Sequence, residues 1–455
     1  MIVSPHFSGK SYAVLGLARS GLAAAECLLA SGARVVAWDR QDVARTPLAG
    51  RAELADPLEM DLRGFDGVVV SPGVPLNTHP IRQRAADAGV PLIGDIELFA
   101  LARADLPPHK VVGITGTNGK STTTALVHHL LESADIPARM GGNIGLPILA
   151  QEPLIPNANG VGVYVLELSS YQIDLTLSLA CDVAALSNIT PDHLDRYDGF
   201  DAYAASKAHL FAMQDAGQFA VFGCEDEPTC AVQREEAARR APGRAVCMAP
   251  DEWEGRQAEW PSLQGPHNLQ NAAIAAALVM ELGLSRDQVF AGLTTFRGLP
   301  HRMERLGELH GVLFINDSKA TNPASTAPAL AAFPPAPDRR IHWILGGLPK
   351  GDDLGECEQH FGNVAAAYTI GEAGPRFAEI LDPVTRVERC ELLSEAVARA
   401  IAAAKPGDVV LFSPACASFD QFRNYELRGE AFREIVSMLT DQVCDRSPLP
   451  GSPEG

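Results

Sequence analysis

Short apolar runs that alternate with stretches of helical composition recur along almost the whole chain. Near its start they read YAVLGL at 12–17, RVVAWD at 34–39 and DGVVVSPG at 66–73, and a helical stretch at 20–30 separates the first two. Short apolar strands separated by helices are typical of parallel sheets covered by helices on both faces. We therefore predict an α/β fold in which mostly parallel sheets are flanked by helices.

Two proline-containing segments interrupt this alternation and divide the chain. The first is ARADLPPHK at 102–110, and the second is RGLPHRME at 297–304. A chain of 455 residues is long enough for about three domains. We predict domains at residues 1–105, 106–298 and 299–445, with residues 446–455, which are rich in Pro, Gly and Ser, as a disordered tail.

The composition argues against several classes of protein. With 46% hydrophobic and 20% charged residues the chain is globular rather than disordered, and its net charge of −19 argues against nucleic-acid binding. No apolar run reaches the ~18 residues of a membrane span, and no signal-peptide pattern opens the chain, so we expect a cytoplasmic protein. The nine cysteines are scattered without a Cys-x-x-Cys pair, which argues against a disulfide framework or a structural zinc site.

The segment VVGITGTNGKST at 111–122 resembles a phosphate-binding loop with unusual spacing. The common loop has four residues between its first glycine and the Gly-Lys pair, whereas five separate Gly113 from Gly119. An apolar run precedes the loop and a helical stretch follows it, so backbone N–H groups and the helix dipole would bind phosphate. Lys120 would reach the terminal phosphates, and Ser121 or Thr122 would hold Mg²⁺. A strand–helix turn with a capping serine is the alternative.

Three further polar residues follow or interrupt apolar segments of the same region. Glu167 ends the run VLE, and a carboxylate there is costly to bury unless it is paired or bound to a metal. His193 follows the run at 182–190, and Lys207 lies on a predicted helix. Taken singly, His193 is more typical of a structural histidine and Lys207 of a solvated lysine.

The segment GLARSG at 16–21 has the strand–turn–helix context of a dinucleotide-binding fold, and Asp39 ends the next strand. Ala18 replaces the middle glycine that lets the backbone approach a pyrophosphate, which disfavours NAD. The helix N-terminus can still bind an anion, although a turn without a ligand remains open. SGKS at 8–11 precedes a strand, so no helix N-terminus there can face a phosphate.

Together these segments resemble the Mur ligases, ATP-dependent amide-forming enzymes of peptidoglycan precursor synthesis. Residues 115–122 match the family's loop T-G-T-N-G-K-[ST]-[ST], and GGNIGLP at 141–147, TPDHLDRY at 190–197 and NDSKATNP at 316–323 follow in order. GDIELF at 94–99 and SPACASFDQFRNYELRG at 413–429 resemble the members that add D-glutamate. The resemblance implies a Rossmann-like first domain, a central P-loop ATPase domain and a Rossmann-like C-terminal domain.

The resemblance also implies a mechanism. ATP would phosphorylate the carboxylate of UDP-N-acetylmuramoyl-L-alanine, and the amine of D-glutamate would attack the acyl phosphate. Lys120 and the loop would stabilise the transferring phosphate, and His301 would lie at the reacting amine. Ser121 and Glu167 would hold one Mg²⁺, and His193 and Lys207, carbamylated, a second. If three domains supply one site, closure must assemble it.

The binding residues implied by the resemblance form three groups. The nucleotide group is Gly116, Thr117, Asn118, Gly119, Lys120, Ser121, Thr122, Asn268, Asn271, Arg302, Asp317 and Lys319. The group for the UDP-activated substrate is Arg19, Ser20, Asp39, Arg40, Ser71, Pro72, Gly73, Asn143 and Ser169. The group for D-glutamate is Thr321, Lys350, Ser418 and Tyr425. We expect a monomer; the rival interpretations are another amino-acid-adding ligase, a nucleotide-binding regulator and an NAD dehydrogenase.

Overall fold

The structure is a computed structural model that describes residues 1–248, 253 and 255–444, with side chains to residue 439. The chain divides into two compact units, Met1–Phe296 and the residues from Arg297 onward. The first unit contains two sheets and the second contains one. Within the described ranges, no helix is both long and apolar enough to cross a membrane.

Five parallel strands form the first sheet in the spatial order 3-2-1-4-5. The strands are β1 (Ser11–Leu15), β2 (Arg34–Trp38), β3 (Glu53–Leu54), β4 (Gly67–Val70) and β5 (Leu92–Ile93). The helices are α1 (Arg19–Ala30), α2 (Asp42–Arg45), α3 (Ile81–Ala88) and α4 (Asp95–Ala102). Val14 of β1 belongs to one apolar cluster with Leu28 and Phe99, whereas Ala13 belongs to another with Ile81. Helices α1 and α4 therefore cover one face of the sheet, and α3 covers the other.

Six parallel strands form the second sheet in the order 11-10-9-6-8-7. The strands are β6 (Lys110–Thr115), β7 (Ala138–Gly142), β8 (Val163–Glu167), β9 (Val183–Leu186), β10 (Phe219–Phe222) and β11 (Ala245–Cys247). The helices are α5 (Lys120–Ser133), α6 (Ser170–Ile173), α7 (Phe200–Ala212), α8 (Glu227–Arg239), α9 (Pro266–Glu281) and α10 (Arg286–Thr295). Because β6 is an inner strand, the loop after it opens in the middle of the carboxyl edge of the sheet.

The sheet of the second unit has the order 12-13-17-14-15-16. Its strands are β12 (Glu304–Leu309), β13 (Val312–Asn316), β14 (Ile341–Gly346), β15 (Val364–Ile370), β16 (Arg386–Glu391) and β17 (Val409–Phe412). Its helices are α11 (Pro323–Ala331), α12 (Gly374–Leu381), α13 (Leu393–Ala403) and α14 (Tyr425–Cys444). One apolar cluster joins α11 and α12 to the sheet, and a second joins α13 and α14 to its other face.

The predicted α/β class with mostly parallel sheets is confirmed, and β12 is an unpredicted exception to the parallel pattern. β12 pairs antiparallel with β13 through a two-residue turn, in which His310 has φ 50° and Gly311 has φ 78°. Positive φ at both positions suits the twist of a hairpin, but His-Gly is not one of the pairs that usually signals such a turn. The domain limits at 105/106 and 298/299 stay predictions.

A disulfide joins Cys224 to Cys247, although the scattered cysteines argue against a disulfide framework. β10 and β11 are neighbours, and Phe222 lies opposite Cys247 in their register. The two cysteines therefore meet at the carboxyl ends of adjacent strands. Their separation of 23 residues gives no spacing signal, so only the strand pairing brings them together.

Candidate active site

The phosphate-loop segment joins β6 to α5, as its sequence predicts. Gly116 has φ 146° and Gly119 has φ 81°, and a Cβ would collide with Ser187 Oγ at the first and with Asn271 Oδ1 at the second. Both positions therefore require glycine. Thr117 N donates to Asn188 O at 2.8 Å. These contacts hold the loop against the end of β9.

The Gly-Lys-Ser residues of this loop begin α5. Gly119 is the N-cap and has no capping side chain. The helix therefore lacks the capping serine of the alternative interpretation. Lys120 Nζ donates to Thr117 O at 2.8 Å, and Ser121 is buried. Asn271 of α9 accepts a hydrogen bond from Thr123 of α5 at 3.2 Å. The start of α9 thus lies beside the loop, and the nucleotide contact of Asn271 stays a prediction.

Glu167 is the last residue of β8 and is only 2% exposed. Asn143 Nδ2 donates to its Oε1 at 2.8 Å, while its buried Oε2 has no hydrogen-bond partner among the described residues. An unpaired buried carboxylate oxygen is costly, and a hard cation is a ligand that would satisfy it. The donor set therefore fits the predicted Mg²⁺ at Glu167.

Lys207 is buried on α7, contrary to the solvated lysine that its sequence position alone suggests. It is 2% exposed, and its Nζ donates to Gly116 O of the phosphate loop at 2.8 Å. Burial, together with the positive charge of Lys120, lowers the pKa of Lys207 to about 7. Its neutral amine, which is the form that reacts with carbon dioxide, is therefore more accessible near neutral pH than that of an ordinary lysine.

His193 follows β9 in a loop that continues into the 3₁₀ turn Leu194–Arg196. Its side chain is 50% exposed, and its Nε2 lies 3.4 Å from Asp192 Oδ2. Within the described part of the chain, no group of three or more His, Cys, Asp or Glu side chains could hold a metal ion. The predicted metal set is of a different type, because it combines one glutamate and one histidine with a serine and a modified lysine.

The predicted UDP-substrate residues of the first sheet surround the loop after β1. Leu17 N donates to Asp39 Oδ2 at 2.7 Å, and Gln41 N donates to Asp39 Oδ1 at 2.9 Å. Asp39 therefore shapes the loop with both carboxylate oxygens. Ser71 N donates to Leu15 O at 2.9 Å, which fixes the turn after β4 beside the same loop.

Other predicted substrate residues already have protein partners in this structure. Arg19 donates to Gly145 O at 2.5 Å, which links the first sheet's helix α1 to the loop after β7. Ser169 caps α6 through a reciprocal pair of hydrogen bonds with Gln172. Asn143 contacts Glu167, so the predicted muramoyl contact and the predicted metal ligand are neighbours.

In the second unit, Asp317 and His301 lie around the end of β13. Asp317 accepts hydrogen bonds from Met303 N at 3.0 Å and Ser413 Oγ at 2.7 Å, and burial raises its pKa to about 6. His301 is buried, its Nδ1 lies 3.0 Å from Asn316 Nδ2, and burial lowers its pKa. Lys319 N donates to His301 O at 2.9 Å. His301, Asp317 and Lys319 therefore lie close together in the structure.

The residues predicted to bind D-glutamate lie near the carboxyl ends of the strands in the second unit's sheet. Lys350 lines an open cavity of about 270 Å³ together with Asn322 and Ala415. Tyr425 lies 6.4 Å from the His301 ring between centroids. Among the described residues lining the cavity, Lys350 is the one that belongs to the predicted group; Thr321, Ser418 and Tyr425 lie outside it.

Arg428 has a structural role beside the predicted site that its sequence pattern does not predict, although it lies within the segment 413–429 that resembles the family. It is 1% exposed and donates to the carbonyl oxygens of Ser318, Cys416 and Ala417 at 2.8, 3.0 and 3.0 Å. One guanidinium therefore holds the loops after β13 and β17, which carry the predicted residues Lys319 and Ser418. A helical arginine in a charged segment usually lies in solvent, so its pattern gives no signal of this role.

Comparison with known proteins agrees with this architecture. Residues 114–242 match the Mur ligase middle domain, and residues 301–416 match the Mur ligase glutamate ligase domain. The chain is 66% identical to the UDP-N-acetylmuramoylalanine–D-glutamate ligase of Novosphingobium aromaticivorans, over 97% of each chain. It is 60% identical to the enzyme of the same name from Sphingopyxis alaskensis, over 96% of this chain and 100% of the relative.

Solved structures show the same fold at low identity. The UDP-N-acetylmuramate–alanine ligase of Thermotoga maritima superposes with a TM-score of 0.56 at 17% identity, over 94% of this chain and 99% of that one. A MurF structure from Acinetobacter baumannii gives a TM-score of 0.54 at 15% identity, over 85% and 93%. The fold, the order of the motifs and the relatives that match along nearly their full length agree. The chain belongs to the Mur ligase family, among its UDP-N-acetylmuramoylalanine–D-glutamate ligases.

Proposed function

We propose that this chain is an ATP-dependent ligase that joins D-glutamate to UDP-N-acetylmuramoyl-L-alanine in peptidoglycan precursor synthesis. Relatives of that name match at 66% and 60% identity along nearly the whole chain. The observation that carries the proposal is the contact of the buried Lys207 with Gly116 of the phosphate loop. It brings a lysine that can be deprotonated near pH 7 to the place where a nucleotide's phosphates would bind.

The reaction needs ATP because a carboxylate and an ammonium group do not condense in water. The γ-phosphoryl group is transferred to the alanyl carboxylate, and the resulting acyl phosphate is attacked by the free amine of D-glutamate. The C–N bond forms as the C–O bond to phosphate breaks, and the amine loses a proton. The phosphate-loop N–H groups and Lys120 stabilise the charge of the transferring phosphoryl group.

The proposal includes two magnesium ions, which neutralise phosphate charge when they are bound. Ser121 and Glu167 would hold the first, a role supported by the unpaired Oε2 of Glu167. His193 and carbamylated Lys207 would hold the second. Carbamylation joins the Lys207 amine to carbon dioxide with loss of one proton, and the product is an anionic oxygen ligand.

In the second unit, Thr321, Lys350, Ser418 and Tyr425 would bind D-glutamate, and His301 would lie at its amine. The neighbourhood of His301, Asp317 and Lys319 supports a shared role for these residues, and a neutral imidazole is suited to accept the amine's proton. The proposal places a monomeric enzyme in the cytoplasm.

The test is ATP-dependent phosphate release by the purified protein with Mg²⁺ and UDP-N-acetylmuramoyl-L-alanine. D-Glutamate is compared with L-glutamate, L-lysine and diaminopimelate, and the product is identified by mass. Release with D-glutamate alone, lost in Lys120→Ala, supports the proposal. Release with another amino acid would refute the specificity and keep the ligase. A protein that binds ATP tightly but releases phosphate with none of them would be a nucleotide-binding regulator.

A further inference from the structure

We propose that Arg196 is a positioning residue that joins the substrate turn of the first sheet to the loop carrying His193. The substrate turn is residues 71–77, and the His193 loop is residues 192–197. This inference rests on the proposed function, because it concerns the affinity for the UDP-activated acceptor. Both segments belong to the compact unit Met1–Phe296.

Side-chain hydrogen bonds join the two segments in both directions. Arg196 Nη2 donates to Val74 O at 2.9 Å and to Pro72 O at 3.4 Å. In the opposite direction, Asn77 Nδ2 donates to Asp195 O at 2.9 Å. The carbonyl groups at 72 and 74 flank Gly73, and Val74 N closes the turn on Ser71 O at 3.0 Å. The guanidinium therefore binds two carbonyl groups in the part of the turn that is predicted to contact the diphosphate.

Arg196 is also linked to His193 through an aromatic ring. Its guanidinium carbon lies 4.3 Å from the ring centroid of Tyr171, and the Tyr171 ring lies 5.2 Å from that of His193. Tyr171 is additionally stacked on Tyr197 at 6.0 Å. A planar guanidinium can stack on a ring and donate in its own plane at the same time, which an ammonium cannot do. Arg196 thus positions the substrate turn and the imidazole together.

An open cavity lies beside these contacts. A cavity of about 460 Å³ is lined by Pro72, Val74, Asn77, Tyr171 and Arg196, with Arg82 of α3 on its wall. Close packing normally limits how far a segment can shift, but next to a cavity the substrate turn has room to move. Without Arg196, the hydrogen bond from Asn77 Nδ2 to Asp195 O would remain between the two segments.

The test compares Arg196→Ala, Arg196→Lys and Arg82→Ala, with Arg82 as the matched control because it lines the same cavity. We measure the Kd of UDP-N-acetylmuramoyl-L-alanine by calorimetry, the KM values of all three substrates, and thermal unfolding.

Arg196→Ala should raise the acceptor's Kd and KM by about tenfold, as expected for loss of a charge-assisted hydrogen bond. The KM of D-glutamate should stay within about twofold, and Asn77→Ala should shift the acceptor's Kd in the same direction. Arg196→Lys should recover less than half of the loss in binding free energy, and Arg82→Ala should be close to wild type.

Three outcomes would overturn the inference: an unchanged acceptor Kd in Arg196→Ala, an equal effect in Arg82→Ala, or full recovery by lysine. A variant that loses thermal stability but binds the acceptor normally would mean that Arg196 is only structural. The proposed function is judged separately by turnover of the wild-type protein. A wild-type protein that binds the acceptor without turnover would refute the function and still let the Kd values decide the inference, whereas one that binds no acceptor would overturn both.

Discussion

At the scale of single residues, burial changes the chemistry of Lys207 and Asp95 most clearly. Lys207 lies under the phosphate loop with a pKa lowered to about 7. Asp95, the first residue of α4, is buried with no hydrogen-bond partner for either carboxylate oxygen among the described residues. Burial raises its pKa to about 6, although Gln172 and Ser20 lie close enough to oppose the shift. Both groups hold their charge less readily than they would in water.

Lys207 gives the first prediction. Its reactive neutral amine is depleted as the pH falls below about 7, so activation by bicarbonate should be present at pH 8 and weak at pH 6. Lys207→Arg keeps a charge but cannot be carbamylated, and phosphate release should fall by about 100-fold or more. Rates in carbon-dioxide-depleted buffer with and without added bicarbonate check this. An arginine variant of nearly normal rate would exclude carbamylation.

Asp95 gives a prediction about pH and stability. Because its folded pKa lies above its unfolded value, burial of the ionised form costs stability above about pH 6, and the cost disappears as the pH falls through 6 toward 4. Asp95→Asn removes this cost, so the variant should gain stability relative to wild type at pH 7.5, by at most about 3 kcal/mol. The gain should shrink at pH 4.5. Urea unfolding at both pH values measures it, and a pH-independent difference would contradict the assignment.

At the scale of elements, two loops depend on atoms that come from distant parts of the chain. The loop between β6 and α5 is held by Ser187 and Asn188 at the end of β9. The loops after β13 and β17 are held by Arg428 of α14. In each case a short active segment follows a buried strand, and a neighbouring element supplies its remaining hydrogen bonds.

Gly116 tests the first of these loops. Its φ of 146° and the collision of a Cβ with Ser187 Oγ mean that Gly116→Ala must displace the loop. We expect ADP–Mg²⁺ binding to weaken by at least about tenfold, which corresponds to about 1.4 kcal/mol of strain. Calorimetric titration with ADP measures it. Gly160→Ala, at a loop glycine with open space around it, is the control and should bind ADP normally.

Arg428 tests the loops after β13 and β17. Arg428→Met would remove the guanidinium donor from three carbonyl groups, of which Ala417 O keeps a second donor in Leu348 N. The second unit should lose about 3 kcal/mol or more of stability. Arg433→Met on the same helix removes ion pairs with Glu304 and Glu430 from a partly exposed arginine and should cost less, about 1 kcal/mol. Urea unfolding followed by fluorescence compares them. Equal losses in the two variants would show that the carbonyl contacts of Arg428 contribute little.

At the scale of the whole molecule, each compact unit has apolar clusters of its own among the described residues. The clusters that contain Val14 and Ala13 lie in the first unit, and those that contain Leu345 and Ile344 lie in the second. The UDP-N-acetylmuramoylalanine–D-glutamate ligase of Novosphingobium aromaticivorans matches this chain across both units, and the residues of the proposed function come from both.

Separate cores predict two unfolding transitions in scanning calorimetry. Arg428→Met should lower one transition only, and Asp95→Asn at pH 7.5 should raise the other only, because the substitutions lie in different units. A single transition that shifts with both substitutions would mean that the units unfold cooperatively. Sequencing of the fragments from limited proteolysis would then show whether cleavage near residue 296 separates them.

Sequence patterns alone predict the α/β class, the strand–loop–helix around Lys120 and the membership of the family. These features depend on local patterns: the periodicity of apolar residues, glycines at fixed offsets and motifs in a fixed order. The roles that the resemblance implies for the site residues stay predictions.

Other features became visible in the folded chain alone. Lys207 is buried, β12 runs antiparallel, Asp39 shapes the loop after β1, and Arg196 and Arg428 bind backbone carbonyls. Arg428 reaches Ser318 across 110 positions, and Arg196 reaches Val74 across 122. Periodicity reports which face of an element is apolar, but it cannot report which distant carbonyl lies opposite a polar side chain. Each of these contacts joins segments far apart in sequence, which become neighbours only when the strands between them pair. No local stretch of sequence contains that information.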